Sequence, residues 1–62
     1  MDYTEHWLEV SGRPGNFRWA LFRTGRRTPY KRSSFTYRSR TVARMAGERV
    51  LSRLLDRLNA DA

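Results

Sequence analysis

Sixty-two residues provide one small domain, which at this length buries only about 60% of the surface that the unfolded chain exposes. The absence of cysteine and the presence of a single histidine, His6, exclude disulfides and the usual zinc sites as sources of stability. Thirteen lysines and arginines against six acidic residues give a net charge of +7. Twelve of the thirteen basic residues are arginines, whose planar guanidinium groups bind phosphate or carboxylate in a bidentate manner.

Three segments predict β-strands joined by glycine-containing turns. Residues 5–10 alternate between polar and apolar side chains, and residues 17–23 are rich in aromatic and apolar ones. Residues 28–37 predict a third strand, and Pro29 favours an edge position because proline has no N–H to donate to a neighbouring strand. Short turns between consecutive strands predict an antiparallel meander over residues 5–37.

Residues 39–59 predict one amphipathic helix. Ser39 is placed as its N-cap, where the hydroxyl accepts a hydrogen bond from a free amide of the first turn. The apolar side chains recur at helical spacing and share one broad face: Ala43, Ala46, Gly47, Val50, Leu51, Leu54, Leu55 and Leu58. Gly47 lowers helix propensity by about 1 kcal/mol relative to alanine, and its position on that face indicates a close approach to the sheet.

This order of elements predicts an α+β fold, a three-stranded antiparallel sheet packed on one C-terminal helix, in a single domain over residues 1–62. Side-chain alternation along the strands assigns the two faces of the sheet. The face under the helix is expected to carry Leu8, Val10, Phe17, Trp19, Leu21, Phe35 and Tyr37. The opposite, open face is expected to carry Glu5, Trp7, Glu9, Arg18, Ala20, Phe22, Tyr30, Arg32 and Ser34.

Two short motifs stand out in this layout: Phe17-Arg18-Trp19-Ala20-Leu21, and Tyr37-Arg38-Ser39-Arg40 running into Ala43, Ala46 and Gly47. Over residues 7–51 they resemble the YegP-like domain, a small bacterial strand-strand-strand-helix unit. The resemblance implies this same fold and a self-associating or tandemly repeated domain, and it names no substrate. The layout is also similar to that of the AP2 and integrase arm-binding domains, in which a three-stranded sheet enters the DNA major groove. That second likeness is one of architecture alone.

Catalysis is not expected of this chain, because it offers no cysteine, no glycine-rich phosphate loop and only one histidine to serve as a base. We expect no cofactor and no metal. No segment approaches the ~18 apolar residues that span a membrane, and the acidic, polar residues 1–5 do not resemble a secretory signal. A cytoplasmic location without membrane contact is therefore the expectation.

The basic residues of the strands and turns favour nucleic acid, either DNA or RNA, as the partner. The candidate binding residues are Arg13, Arg18, Arg26, Arg27, Tyr30, Lys31 and Arg32. Guanidinium groups bind phosphates or guanine edges, and the aromatic rings interleaved among them stack on unpaired bases. The arginine stripe of the helix, at positions 49, 53 and 57, is expected to be a solvated face.

The same surface is open to other interpretations. Trp7, Ala20 and Phe22 on the open face are candidates for self-association into a homodimer, since aromatic side chains and arginine are also enriched in protein interfaces. An acidic protein partner would suit the net charge equally well, as in a small inhibitory or protein-binding module of phage or mobile-element origin. Exposed arginines are also common on surfaces that bind nothing.

Overall fold

A long antiparallel hairpin of β1 (His6–Arg13) and β2 (Asn16–Arg23) forms the centre of the fold. The computed structural model describes residues 5–60, so the N-terminal segment 1–4 and residues 61–62, which the sequence includes in the domain, lie outside it. β3 (Lys31–Arg32) pairs with β2, and α1 (Arg40–Ala60) follows. The predicted α+β fold, a three-stranded antiparallel sheet in the order β1-β2-β3 and one C-terminal helix, is confirmed.

The first strand is longer than predicted, because it continues beyond Val10 to Arg13. Gly12 has a φ of 119°, and a Cβ there would collide with the backbone oxygen of Asn16. Glycine is therefore required where the two strands converge on their turn. Only Pro14 and Gly15 separate the strands, so β1 and β2 stay paired over their whole length of eight residues.

The predicted third strand over residues 28–37 is wrong in extent. Only Lys31–Arg32 pair continuously with β2. Further along, the chain returns to β2 at one isolated bridge between Tyr37 and Phe17, whose backbone groups exchange hydrogen bonds of 2.7 and 2.8 Å. The third strand is therefore interrupted, and it leaves β2 partly uncovered at that edge.

An insertion explains the interruption. The Ser33 N–H donates to the Trp19 carbonyl at 3.0 Å, and the next pairing joins Tyr37 to Phe17. Three residues separate Ser33 from Tyr37, whereas one residue separates their partners on β2, so two extra residues must loop outward. The expectation that Phe35 lies under the helix is consequently wrong, since its side chain is 71% exposed. Tyr37 takes the place opposite Phe17.

The core lies between β2 and the N-terminal half of α1. Its buried apolar side chains are Phe17, Trp19, Leu21 and Ala43. Gly47 comes so close to the sheet that a Cβ would lie 3.0 Å from both Cβ and Cγ of Trp19, with Leu8 even closer. The close approach predicted from this glycine is confirmed.

The start of α1 is held by two residues. Ser39 Oγ accepts a hydrogen bond from the Val42 N–H at 3.1 Å, which confirms the predicted N-cap. Arg40, the first helical residue, donates from Nη1 to the Val10 carbonyl at 3.2 Å, and its guanidinium lies 5.1 Å from the centre of the Phe17 ring. These contacts tie the helix to both long strands.

α1 is longer than the strands of the sheet. Its 21 residues extend about 31 Å, whereas strands of eight residues extend about 27 Å. Leu55 and Leu58, which the helical pattern assigns to the sheet-covering face, are 41% and 46% exposed. Within residues 5–60, no helix combines the length and the apolar character needed to cross a membrane.

Candidate nucleic-acid interface

The open face of the sheet carries a pair of stacked aromatic rings. The register of β1 and β2 places Trp7 directly opposite Phe22, and their ring centres lie 5.8 Å apart with planes inclined by 16°. Trp7 is 39% exposed, and its Nε1 donates to Glu9 Oε2 at 2.9 Å. The hydrogen bond orients the indole, so the stack presents a flat apolar surface of fixed orientation.

Three of the predicted arginines share this open face. Arg18 lies opposite Ser11 on β1, and Arg32 lies opposite Ala20 on β2. By strand alternation, these four side chains point to the same face of the sheet as Phe22. Arg13 belongs to the same face at the turn end of β1, and the three arginines are exposed. The structure therefore places three exposed arginines on the same face as the aromatic stack, with Arg32 nearest to the stack and Arg13 at the other end of the hairpin.

Two further arginines lie in the turn that leads from β2 towards β3. The Arg26 N–H donates to the Arg23 carbonyl at 3.2 Å, and the neighbouring Gly25 has a φ of 89° that closes the turn. Arg26 and Arg27 are exposed. This turn lies at the opposite end of the hairpin from Arg13, so the basic residues extend along the sheet over about 25 Å.

Tyr30 does not lie on the open face, and its assignment there with Trp7 and Phe22 is wrong. Its ring lies 5.9 Å from that of His6, and the Arg23 guanidinium lies 5.3 Å from its centre. His6 and Arg23 are directly opposed and belong to the helix side of the sheet. Tyr30 precedes β3 in a bend, and strand alternation therefore does not govern its direction.

Lys31 also belongs to the helix side, because it pairs with the fully buried Leu21. It joins Tyr30 at a recess between β3 and α1 of about 250 Å³, which we call the helix–β3 groove. The helix contributes Arg53 and Arg57 to the same groove. The seven predicted binding residues are thus divided between two surfaces, with five on the open face and its turns and two in the groove.

The helical arginines differ from one another in their surroundings. Arg53 and Arg57 line the helix–β3 groove, whereas Arg49 lines a second recess with Tyr37 and Met45. All three arginines are exposed, as expected of a solvated stripe, although they border two different recesses. Their spacing predicts a shared helix face, but no sequence pattern indicates that Lys31 lies across from it.

Among residues 5–60, no group of three or more histidine and acidic side chains gathers into a metal-binding arrangement. Comparison of the chain with protein-family models, with curated proteins and with solved structures finds no match.

Proposed function

We propose that this chain is a non-enzymatic module that binds nucleic acid through its open sheet face and the adjoining turns. One observation carries the proposal: the stack of the exposed Trp7 on the half-buried Phe22 lies on the same face as Arg18 and Arg32. Proteins that hold nucleic acid combine cationic groups for phosphates with flat rings for bases. The open face supplies both within one short sheet.

The length of the basic surface favours a chain of phosphates over a single anion. Arg13 lies at one end of the hairpin, and Arg26 and Arg27 lie at the other. The intervening distance of about 25 Å corresponds to roughly seven nucleotide steps at ~3.4 Å each. A polyanion of that length can contact both ends and the middle of the face at once.

The roles of the five arginines follow from their positions. Turn arginines project from the ends of the sheet and suit phosphate contacts, which position the ligand without reading its sequence. Arg18 and Arg32 project from paired strands, where the backbone holds them in register with the aromatic stack. They suit contacts to base edges, where an arginine binds guanine in a bidentate manner.

A salt-dependent titration tests the proposal. Labelled duplex and single-stranded oligonucleotides are titrated with the protein at two salt concentrations. About four phosphate contacts give a slope of log affinity against log salt of roughly −3 to −4 on duplex DNA. Binding weaker than ~100 μM at low salt, the weak end of non-specific affinity, would exclude this function.

Matched arginine variants locate the site. Arg18→Gln removes one charge from the open face, and Arg49→Gln removes one charge from a helix position beside Tyr37. We expect the first to weaken oligonucleotide binding and the second to leave it unchanged. An equal loss from both variants would show attraction to net charge without a defined site.

Self-association is the second candidate function, and the same aromatic stack favours it. The half-buried Ala20 lies beside Phe22 along β2 on the same face, so the open face contains an apolar patch that a second copy could cover. The thin core of a domain this small makes such additional burial stabilising. A partner chain on this face would exclude nucleic acid from it, and oligonucleotide addition would then dissociate the dimer.

A further inference from the structure

The helix–β3 groove has an apolar floor. Leu21, which is fully buried, lies at its base, and Val50 and Leu54 of α1 form the adjoining wall. Both helix residues are only half-buried, so part of their apolar surface faces the recess. A ligand that covers this floor would remove apolar surface from water, which is favourable.

The rim of the groove is cationic. Lys31 projects from β3, and Arg53 and Arg57 project from successive turns of α1, so two different elements surround the recess with positive charge. Among residues 5–60, the groove has no acidic side chain in its lining. The arrangement therefore favours an anion, and it can hold one between the strand and the helix.

The remaining wall of the groove is poorly suited to stacking on a nucleic-acid base. Tyr30 is the only aromatic side chain lining the groove among residues 5–60. Its ring already has the Arg23 guanidinium 5.3 Å from its centre and the edge-on ring of His6 at 5.9 Å. The ring therefore already has two protein partners, although Tyr30 is 44% exposed. Aliphatic carbon is the ligand surface that suits the floor.

We propose that the helix–β3 groove binds a small amphiphilic anion, a carboxylate on a short aliphatic chain, with the carboxylate between Lys31 and Arg53 and the chain on Val50 and Leu54, above the buried Leu21. The volume of about 250 Å³ falls just below the range of about 300–1,000 Å³ of drug-sized sites, which limits the ligand to a short chain. This site is separate from the open face and does not depend on nucleic-acid binding.

A series of dissolved carboxylates tests the site in the wild-type protein. Acetate, butyrate and hexanoate are titrated while amide chemical shifts are followed by NMR, with 1-hexanol and hexylamine as uncharged and cationic controls. We expect affinity to rise roughly twofold per added methylene, since the floor is only partly enclosed. Hexanoate, with about eight non-hydrogen atoms, should reach a dissociation constant on the order of 1 mM, with shifts at Lys31 and Arg53.

Charge-neutral variants locate the anion. Lys31→Gln and Arg53→Gln should each weaken hexanoate binding roughly two- to fivefold, as expected for ion pairs near the surface. Arg49→Gln is the matched control, because Arg49 lies on the same helix but lines the other recess. Both rim positions are exposed, and the fold of each variant is checked by circular dichroism.

Four outcomes would overturn the proposal. Equal affinity for acetate and hexanoate would show that the apolar floor does not contribute. Equal affinity for hexanoate and 1-hexanol would show that the cations do not contribute. Equal loss in the Arg49→Gln control, or shifts confined to the open face around Trp7, would place the anion elsewhere. Failure of oligonucleotide binding would leave this site unaffected, because no open-face residue lines the groove among residues 5–60.

Discussion

Gly47 of α1 lies against Trp19 of β2, and a Cβ at position 47 would lie 3.0 Å from both Cβ and Cγ of that indole. The separation is tighter than ordinary van der Waals contact and involves the root of the Trp19 side chain, which cannot rotate away. Helix and sheet are therefore held at a distance that only glycine permits. This contact sets the distance between α1 and β2 at the centre of the core.

The close approach predicts the effect of a single methyl group. Gly47→Ala should lower the free energy of unfolding by up to about 2 kcal/mol, because overpacking costs about 1–3 kcal/mol and the gain in helix propensity offsets ~1 kcal/mol of that cost. Thermal and urea denaturation measure the difference. Ser52→Ala at an exposed helix position is the control and should be neutral or slightly stabilising. A stabilised Gly47→Ala variant would contradict the tight packing.

The N-cap predicts a second stability change. Ser39→Ala removes the hydroxyl that accepts the Val42 N–H and should lower the free energy of unfolding by about 1 kcal/mol. Ser39→Asp restores an acceptor and should recover most of the loss, since aspartate is an equally good N-cap. Urea denaturation of the three proteins side by side provides the measurement. No difference between serine and alanine would mean that the cap contributes nothing.

The two-residue insertion predicts unequal roles for two aromatic residues. Phe35→Ser should change stability by no more than about 0.5 kcal/mol, because Phe35 is 71% exposed. Tyr37→Ser should cost about 1–2 kcal/mol, because Tyr37 is half-buried and pairs with Phe17. The two melting temperatures are compared directly. A larger loss of stability in Phe35→Ser than in Tyr37→Ser would support an uninterrupted third strand instead.

Turn and strand arginines are expected to affect nucleic-acid binding in different ways. Replacing Arg26 and Arg27 together by glutamine should weaken binding to all sequences alike and flatten the salt slope by about two units. Replacing Arg18 or Arg32 should instead reduce the preference among sequences, because strand side chains face base edges. Competition assays with oligonucleotides of varied sequence separate the two effects. Identical salt slopes and sequence preferences for the two sets of variants would show that turn and strand arginines do not differ in their roles.

Self-association predicts a concentration-dependent mass. If two copies meet through the open face, light scattering at high micromolar concentration should give a dimer, and Trp7→Ser should return it to a monomer. Leu58→Ser is the informative comparison, because Leu58 is an exposed apolar residue at the far end of α1. Loss of the dimer in Leu58→Ser alone would move the interface to the helix. A monomeric mass for the wild type would exclude the homodimer.

Local chemistry determined much of this fold. Alternation along β1 and β2 assigned Leu8, Trp19 and Leu21 to the helix side, because side chains of a strand point to opposite faces in turn. The hydroxyl of Ser39 marked the helix start, and Gly47 marked the close approach of helix and sheet. Each of these signals depends on a residue and its nearest neighbours in the chain. Sequence patterns therefore detect them.

Only the tertiary structure decided the rest. The outward loop before Tyr37 displaces Phe35, and the bend before Lys31 turns Tyr30 towards His6. Both depend on how the third segment pairs with β2, and an alternating pattern contains no information about two inserted residues. The helix–β3 groove likewise joins Lys31 to Arg53, which are distant in the chain. Contacts of this kind are set by packing between elements, so they are absent from any local pattern.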